Sequence, residues 1–332
     1  MADLGRAVRV VSAADRDRVG AILLRRGAQA VGVAVLVSVL CFLVVRRLPG
    51  DAAYRIAAGR YGYDLVDEAS ADAVRAELGL DRSAWRQLGD WLLDLVQLDF
   101  GRSLVTSRPV AEEVGYYLAG TLQLVAVALV MALVIGGAAG VLAARRPGGA
   151  LDRLTSGWVA GVRALPPFLL GLLLVLFFSV HLGLLPAVGH GGATIVLPSL
   201  TLALGLSGLV ARVTRDAVVE VRQSEYVRFA RTKGLSERRV LVRHVLRNAA
   251  VLLVPYLGVQ AVILIEGVVV VESLFAWQGL GHALVHAVFW RDVPVLQATG
   301  LVLALMIVAV NTAVDLTVRW LDPRPRAREA VA

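Results

Sequence analysis

The sequence predicts an all-α, polytopic membrane protein, and three observations carry that reading. Its 332 residues are 58% hydrophobic with a mean hydropathy of +0.71, outside the range of ordinary soluble domains. Several uncharged apolar stretches reach the roughly 18 residues or more that cross a bilayer core as a helix. The net charge of +8 is concentrated in the connections between them. There Lys and Arg set orientation against anionic lipid, so nucleic acid is a poor explanation for the basic balance.

Residues 1–26 carry six Arg against three Asp and read as a cytoplasmic tail. Residues 27–47 form the first span, whose apolar part Gly27 to Val45 is long enough to remain as an anchor, so no cleavable signal is expected. Arg46 and Arg47 end it on the outer side, against the trend of the later loops. Cys41, the lone cysteine, lies inside this span and excludes an intramolecular disulfide. It reads as a small buried hydrophobe.

Residues 48–117 are mixed and amphipathic: Pro49-Gly50-Asp51 forms a turn, Ala73 to Leu80 a short helix, and Trp85, Leu88, Leu92 and Leu95 one face of another. Counted from Arg46, twelve acids offset nine Arg, so the segment has no positive-inside signal and reads as an extracytoplasmic insertion of short helices. Residues 118–321 then hold five further spans. Leu118 to Ala144 is the second, ended by Arg145-Arg146-Pro147-Gly148. Leu154 to Val180 is the third, kinked where Pro166-Pro167 frees backbone groups. An outer Pro/Gly loop runs Gly183 to Gly192; Ile195 to Val219 is the fourth span, Val251 to Phe275 the fifth and Leu296 to Leu321 the sixth. Ala276 to Val295 is too polar to span and reads as an outer re-entrant stretch, and residues 322–332 as a short basic tail. With this arrangement the inside segments hold 23 Lys/Arg and 10 acids and the outside ones 10 and 13, placing both termini in the cytoplasm.

The densest basic stretch surrounds the inner connection 223–250: ten Lys/Arg and four acids lie between Arg212 and Arg247. Ala230, Lys233 and Gly234 sit together, and Val240, Leu241, His244 and Val245 recur at helical spacing. Two short helices broken near Gly234, with one apolar stripe and one cationic face, are expected.

These residues resemble the "EAA" coupling loop of ABC-importer permeases, in the form used by the dipeptide/oligopeptide/nickel branch. Glu225-Tyr226, Ala230, Lys233-Gly234 and His244 followed by Leu246-Arg247-Asn248 match that form. Arg228 and Arg247 stand where the general signature has Glu and Pro, departures this branch shares. Leu48-Pro49-Gly50-Asp51, Leu78-Gly79-Leu80-Asp81, Asp99-Phe100-Gly101 with Ser103, Arg108-Pro109-Val110, the Phe275 to Gly281 run, Arg291-Asp292, Asn311 and Asp322-Pro323-Arg324 resemble the same branch. The resemblance implies a type I ABC-importer permease fold with six transmembrane helices and the insertion after the first. It implies a second homologous permease, two ATPase subunits, an extracytoplasmic substrate-binding protein and a cytoplasmic-membrane location. ATP and Mg would sit on the ATPases, with no cofactor in this chain, and the cargo would be peptides, nickel or metal chelates.

The residues agree that ATP is not bound here. A Walker loop needs Gly before Lys and a hydroxyl after it; Lys233 is the only lysine, and Gly234 follows it. Gly205-Leu206-Ser207-Gly208 is similar to the motif of rhomboid intramembrane serine proteases, but the sixth span lacks the histidine base such an enzyme needs. Small-residue helix contacts explain it more simply. Arg163, Glu266, Glu272 and Asp315 fall in or near spans, where ionisable groups are costly and are pathway candidates. A secondary transporter or channel using Glu266 and Asp315 is the alternative function class, and an Arg163–Glu266 pair is open. His181, His190, His282 and His286 all fall on the outer side. His282 and His286, one helical turn apart, form a candidate metal pair suited to a nickel cargo, against a plain interfacial role.

Overall fold

The computed structural model describes residues 2–78, 84–97, 99–188 and 192–321. The described chain is helical, and an isolated antiparallel bridge joins Arg102 to Pro109. Helix α1 runs unbroken from Ala2 to Arg47, because no proline precedes Pro49 to stop it. Its part able to span is Gly20–Val44, starting earlier than the hydropathy reading. The insertion follows as α2 (Ala52–Tyr61), α3 (Glu68–Leu78) and α4 (Ala84–Val96). Ala53, Ile56, Ala57, Ala71 and Val74 give α2 and α3 a small core of their own.

Helix α5 (Val110–Ala143), capped by Pro109, begins eight residues before the expected Leu118. Glu112 and Glu113 lie in its first turn, where carboxylates favour a helix start but lower the hydropathy. At 34 residues it is about 51 Å long, more than the roughly 30 Å hydrocarbon core requires, so it extends into the insertion. The third expected span is not one kinked helix. Helices α6 (Ala150–Ala164) and α7 (Pro167–Leu174, continued as a π-helical turn Val175–His181) meet at a bend of 105°. Pro166 caps α7 in an extended conformation and removes the donor that would continue α6.

The remaining elements are α8 (Val196–Gln223), α9 (Glu225–Thr232), the single turn α10 (Glu237–Arg239), a π-helical turn Val240–Leu246, α11 (Arg247–Leu274), α12 (Leu280–Trp290) and α13 (Val293–Leu321). Among the described residues four helices are long and apolar enough to cross a membrane, or five if the bent pair α6–α7 is one span. The other expected span, Val251 to Phe275, lies in the 28-residue α11. The expected outer re-entrant stretch contains α12.

The core forms where α5 lies along α8, with α11 against both. Leu124, Ala128, Ala132, Gly136 and Gly140 recur every fourth residue on α5, and all are buried. This small-residue stripe brings the backbones together: a methyl group on Gly136 would collide with the Ser207 carbonyl, and one on Gly140 with that of Ala211. Ser207 itself donates to the Leu204 carbonyl at 2.8 Å, so packing accounts for the Gly-x-Ser-Gly sequence. Helix α1 packs on α13 at the edge, and Val35, Leu36, Leu40 and Val44 remain exposed on it, as lipid contact requires.

Candidate functional site

The basic connection folds as expected near Gly234, and the geometry explains its spacing. Ser224, extended at φ −70° and ψ 148°, ends α8 and starts α9. Helix α9 then closes with Lys233 as its cap residue and Gly234 in the left-handed region at φ +74°. The Gly234 N–H donates to the Arg231 carbonyl at 2.9 Å, and the Leu235 N–H donates to the Ala230 carbonyl at 3.4 Å. This is a Schellman ending, in which the left-handed residue follows the cap by one and the outer bond reaches back to the third helical residue from the end. Ala230 accepts the outer bond and Gly234 is the left-handed residue, so the motif sets them four positions apart. The second segment differs from the expectation, because α10 and the π-helical turn run on into α11 without a further break.

Helix α9 buries one face and shows the other. Val227 and Ala230 pack with Ala144, Ala217, Val218 and Val221 at the C-terminal ends of α5 and α8 and with Val240, Val245 and Ala249 beyond the break. Leu235 and Leu246 close the edge of this cluster. Outward, Tyr226 and Phe229 are 45% and 61% exposed, and Lys233 Nζ lies 4.6 Å from the centre of the Phe229 ring. Arg228 pairs with Glu225 at 2.9 Å, and Arg231 with Glu237 at 2.9 Å across the break. These exposed pairs contribute little stability. His244 lies in the π-helical turn and Arg247 and Asn248 in the first turn of α11; their side chains lie outside the described set.

Of the four charged residues predicted in or near spans, the three whose side chains are described do not converge. Glu272 is fully buried; its Oε1 accepts from Thr121 Oγ1 at 2.7 Å, and its Oε2 accepts from the N–H groups of Gly281 at 2.7 Å and His282 at 3.3 Å. The Leu280 N–H donates to Thr121 Oγ1 at 2.8 Å. A carboxylate at the positive end of α12 satisfies free helix donors and is favoured by the helix dipole. Asp315 pairs with Arg26 of α1 at 2.5 Å. Arg163 is exposed in the last turn of α6, where a cation complements the helix end, and the Glu266 side chain lies outside the described set.

Arg291 and Asp292, noted in the sequence only as part of the resemblance, prove to organise the end of the bundle that carries the insertion. Both are buried. Arg291 is left-handed at φ +56° and donates to the carbonyls of Leu48, at 3.1 Å, and Pro49. Asp292 accepts from the Ser103 hydroxyl and from the N–H groups of Leu104 at 3.1 Å and Val105 at 3.3 Å. Three separate motifs of the sequence thus meet at one clasp, which ties the insertion to the α12–α13 junction.

His282 and His286 do come together, with ring centres 4.4 Å apart. They line a pocket of about 300 Å³ that Glu113, Tyr117 and Thr106 also enter. Burial, and then the neighbouring His286, hold the His282 imidazole below its ordinary pKa. Among the described residues, however, no group of three or more His, Cys, Asp or Glu is placed to hold a metal ion. His181 stacks on Phe177 instead, and His190 lies outside the described residues. A second pocket, of about 420 Å³, is lined by Tyr116, Gln123, Thr194, Trp277 and Gln278.

Comparison with known proteins agrees with this geometry. The chain is 40% identical over 292 residues to the glutathione transport system permease protein GsiC of Escherichia coli (strain K12), covering 88% of this chain and 94% of that one. It is 39% identical over 316 residues to a peptide transport system permease protein of Brucella abortus (strain 2308), covering 92% and 99%. Its fold is similar to a chain of the inward-facing MetNI methionine ABC transporter, with a TM-score of 0.55 at 22% identity over 65% of this chain and all of that one. The signature of the family described as binding-protein-dependent transport system inner membrane component matches residues 136–327. The chain therefore belongs to that family: it is a permease subunit of an ABC importer, a transport component whose ATP is hydrolysed on separate subunits.

Proposed function

We propose that this permease forms half of the translocation pathway of an importer of small peptides, and that α9 is where the ATPase acts on it. The observation that carries the second part is the two-faced α9, rigidly ended at Gly234, with Val227 and Ala230 anchored in the core and Tyr226 and Phe229 presented outward. Glu225, Tyr226, Ala230, Lys233, Gly234, His244, Leu246, Arg247 and Asn248 belong to this coupling element. Two permeases, two ATPases carrying ATP and Mg, and an extracytoplasmic binding protein complete the assembly. ATP-driven closure of the ATPases pushes on residues 225–249, and the permeases rock to alternate access.

Peptide is favoured over nickel by chemistry as well as by kinship with the glutathione and peptide permeases. The 420 Å³ outer pocket offers amide, hydroxyl and indole groups and no charged side chain, which suits peptide bonds better than a cation. The pair His282–His286 supplies two imidazoles without a third ligand among the described residues. A proton- or ion-coupled transporter would need Asp315 unpaired, and Arg26 holds it. The test is ATPase activity of the reconstituted importer. Peptide-loaded binding protein is expected to stimulate it severalfold; stimulation by nickel-loaded protein alone would refute the substrate assignment.

The same reading places six spans, both termini in the cytoplasm and the insertion outside. Ala73 is exposed on α3. On a Cys41→Ser background, Ala73→Cys is expected to react with an impermeant thiol reagent on intact cells. Labelling only after the membrane is opened would invert the topology.

A further inference from the structure

Beneath the coupling element lies a pocket of about 360 Å³, within the size range of small-molecule sites. Its floor is apolar, formed by Val141 of α5, Val218 of α8, and Val240 and Val245 of the π-helical turn. Its rim carries Arg145, Arg222 and Arg231, with Glu237 among them. Glu237 is tied to Arg231 at 2.9 Å, which neutralises both. Arg222 donates to the Ala144 carbonyl at 3.3 Å, and neither it nor Arg145 has an ion-pair partner among the described residues. Two uncompensated guanidinium groups therefore stand at the mouth of an apolar slot.

That combination selects an amphiphile with an anionic head. A free anion would find the cations but gain nothing from the valines, and a neutral lipid the reverse. The pocket lies where α5 and α8 end, between the membrane core and α9, which is the cytoplasmic headgroup level in the topology proposed above. Basic pockets between helix ends on that side recruit acidic headgroups, each nearby Arg contributing on the order of a fivefold gain in affinity.

We propose that this pocket binds an acidic phospholipid of the cytoplasmic leaflet, with Arg145 and Arg222 on the phosphate and an acyl chain over Val141, Val218, Val240 and Val245. The occupant would wedge the coupling element against the ends of α5 and α8, so that membrane composition tunes how firmly α9 transmits force. The inference rests on the permease reading for its topology and for this consequence.

The experiment uses the assembled importer in nanodiscs of phosphatidylethanolamine with phosphatidylglycerol, and native mass spectrometry to read the lipid retained. Wild type is expected to retain phosphatidylglycerol preferentially. Arg145→Gln combined with Arg222→Gln is expected to lower that retention about 25-fold, with phosphatidylethanolamine unchanged, and the two Lys replacements to restore it. Val240→Phe fills the floor with both charges intact and is expected to displace the lipid as well, so it decides the matter if the Gln pair does not assemble. Equal retention of the two lipids by wild type, or undiminished phosphatidylglycerol in Val240→Phe, would overturn the proposal. So would its displacement by glycerol phosphate, which would assign the site to a soluble anion. Substrate-stimulated ATPase is measured in the same discs: its absence from wild type would count against the importer reading and leave the lipid result standing.

Discussion

Replacing Gly234 by proline is expected to abolish transport while leaving the protein in the membrane. Proline is confined to φ near −65°, and Gly234 sits at +74°. It would also remove the N–H that donates to the Arg231 carbonyl at 2.9 Å. Together these make the Schellman ending impossible, at a local cost of about 3 kcal/mol or more. Helix α9 would then have to run on or unwind, and in either case Tyr226 and Phe229 would leave the surface they form. Gly234→Ala separates the causes. No atom lies within 4 Å of the position a methyl group would take, so alanine meets only the left-handed penalty of about 1–2 kcal/mol and keeps its N–H. Partial transport is expected from alanine and background transport from proline, at equal membrane abundance. Wild-type uptake by the proline variant with the ATPase still bound would show that this turn does not transmit force.

Glu272→Ala is expected to damage the fold itself. It removes the acceptor for the Thr121 hydroxyl and the N–H groups of Gly281 and His282 at a fully buried position. Unsatisfied buried donors cost about 1–3 kcal/mol each, and the α12 N-terminus would also lose its negative partner. A loss on the order of 3 kcal/mol follows, read as a lower unfolding temperature and a shorter half-life of the detergent-solubilised protein. Thr121→Val, which removes one donor and leaves the carboxylate its two backbone partners, is expected to cost less. A Glu272→Ala protein of wild-type stability but without transport would instead make Glu272 a pathway residue, as its place in the sequence first suggested.

Several features of this protein were legible because they depend on local or one-dimensional properties. Apolar length decides whether a helix can lie in a bilayer, and it placed α5, α8 and α13 to within several residues. The Ala230–Gly234 spacing could be read because a Schellman ending is complete within six consecutive residues. The sequence was less informative where a signal had two meanings. Glu112 and Glu113 looked like the outside of a membrane and are the first turn of α5. Pro166-Pro167 promised a kink, but the 105° bend between α6 and α7 depends on what each half packs against.

The sequence by itself determined the class, the membrane setting, the family and the place of the turn at Gly234. Hydropathy, charge and capping act between neighbours along the chain, so those features needed no partner. Only the tertiary structure decided what the isolated charged residues do. Glu272 and Asp315 had equal standing as ionisable groups in or near spans. One became the acceptor at the start of α12 and the other an ion pair to α1, because Thr121 and Arg26 come from helices 151 and 289 residues away in the chain. The clasp at Arg291 and Asp292 has the same origin. Its donors and acceptors are separated by up to 243 residues, and a hydrogen bond formed across such a distance follows from how the helices pack, which no local pattern records.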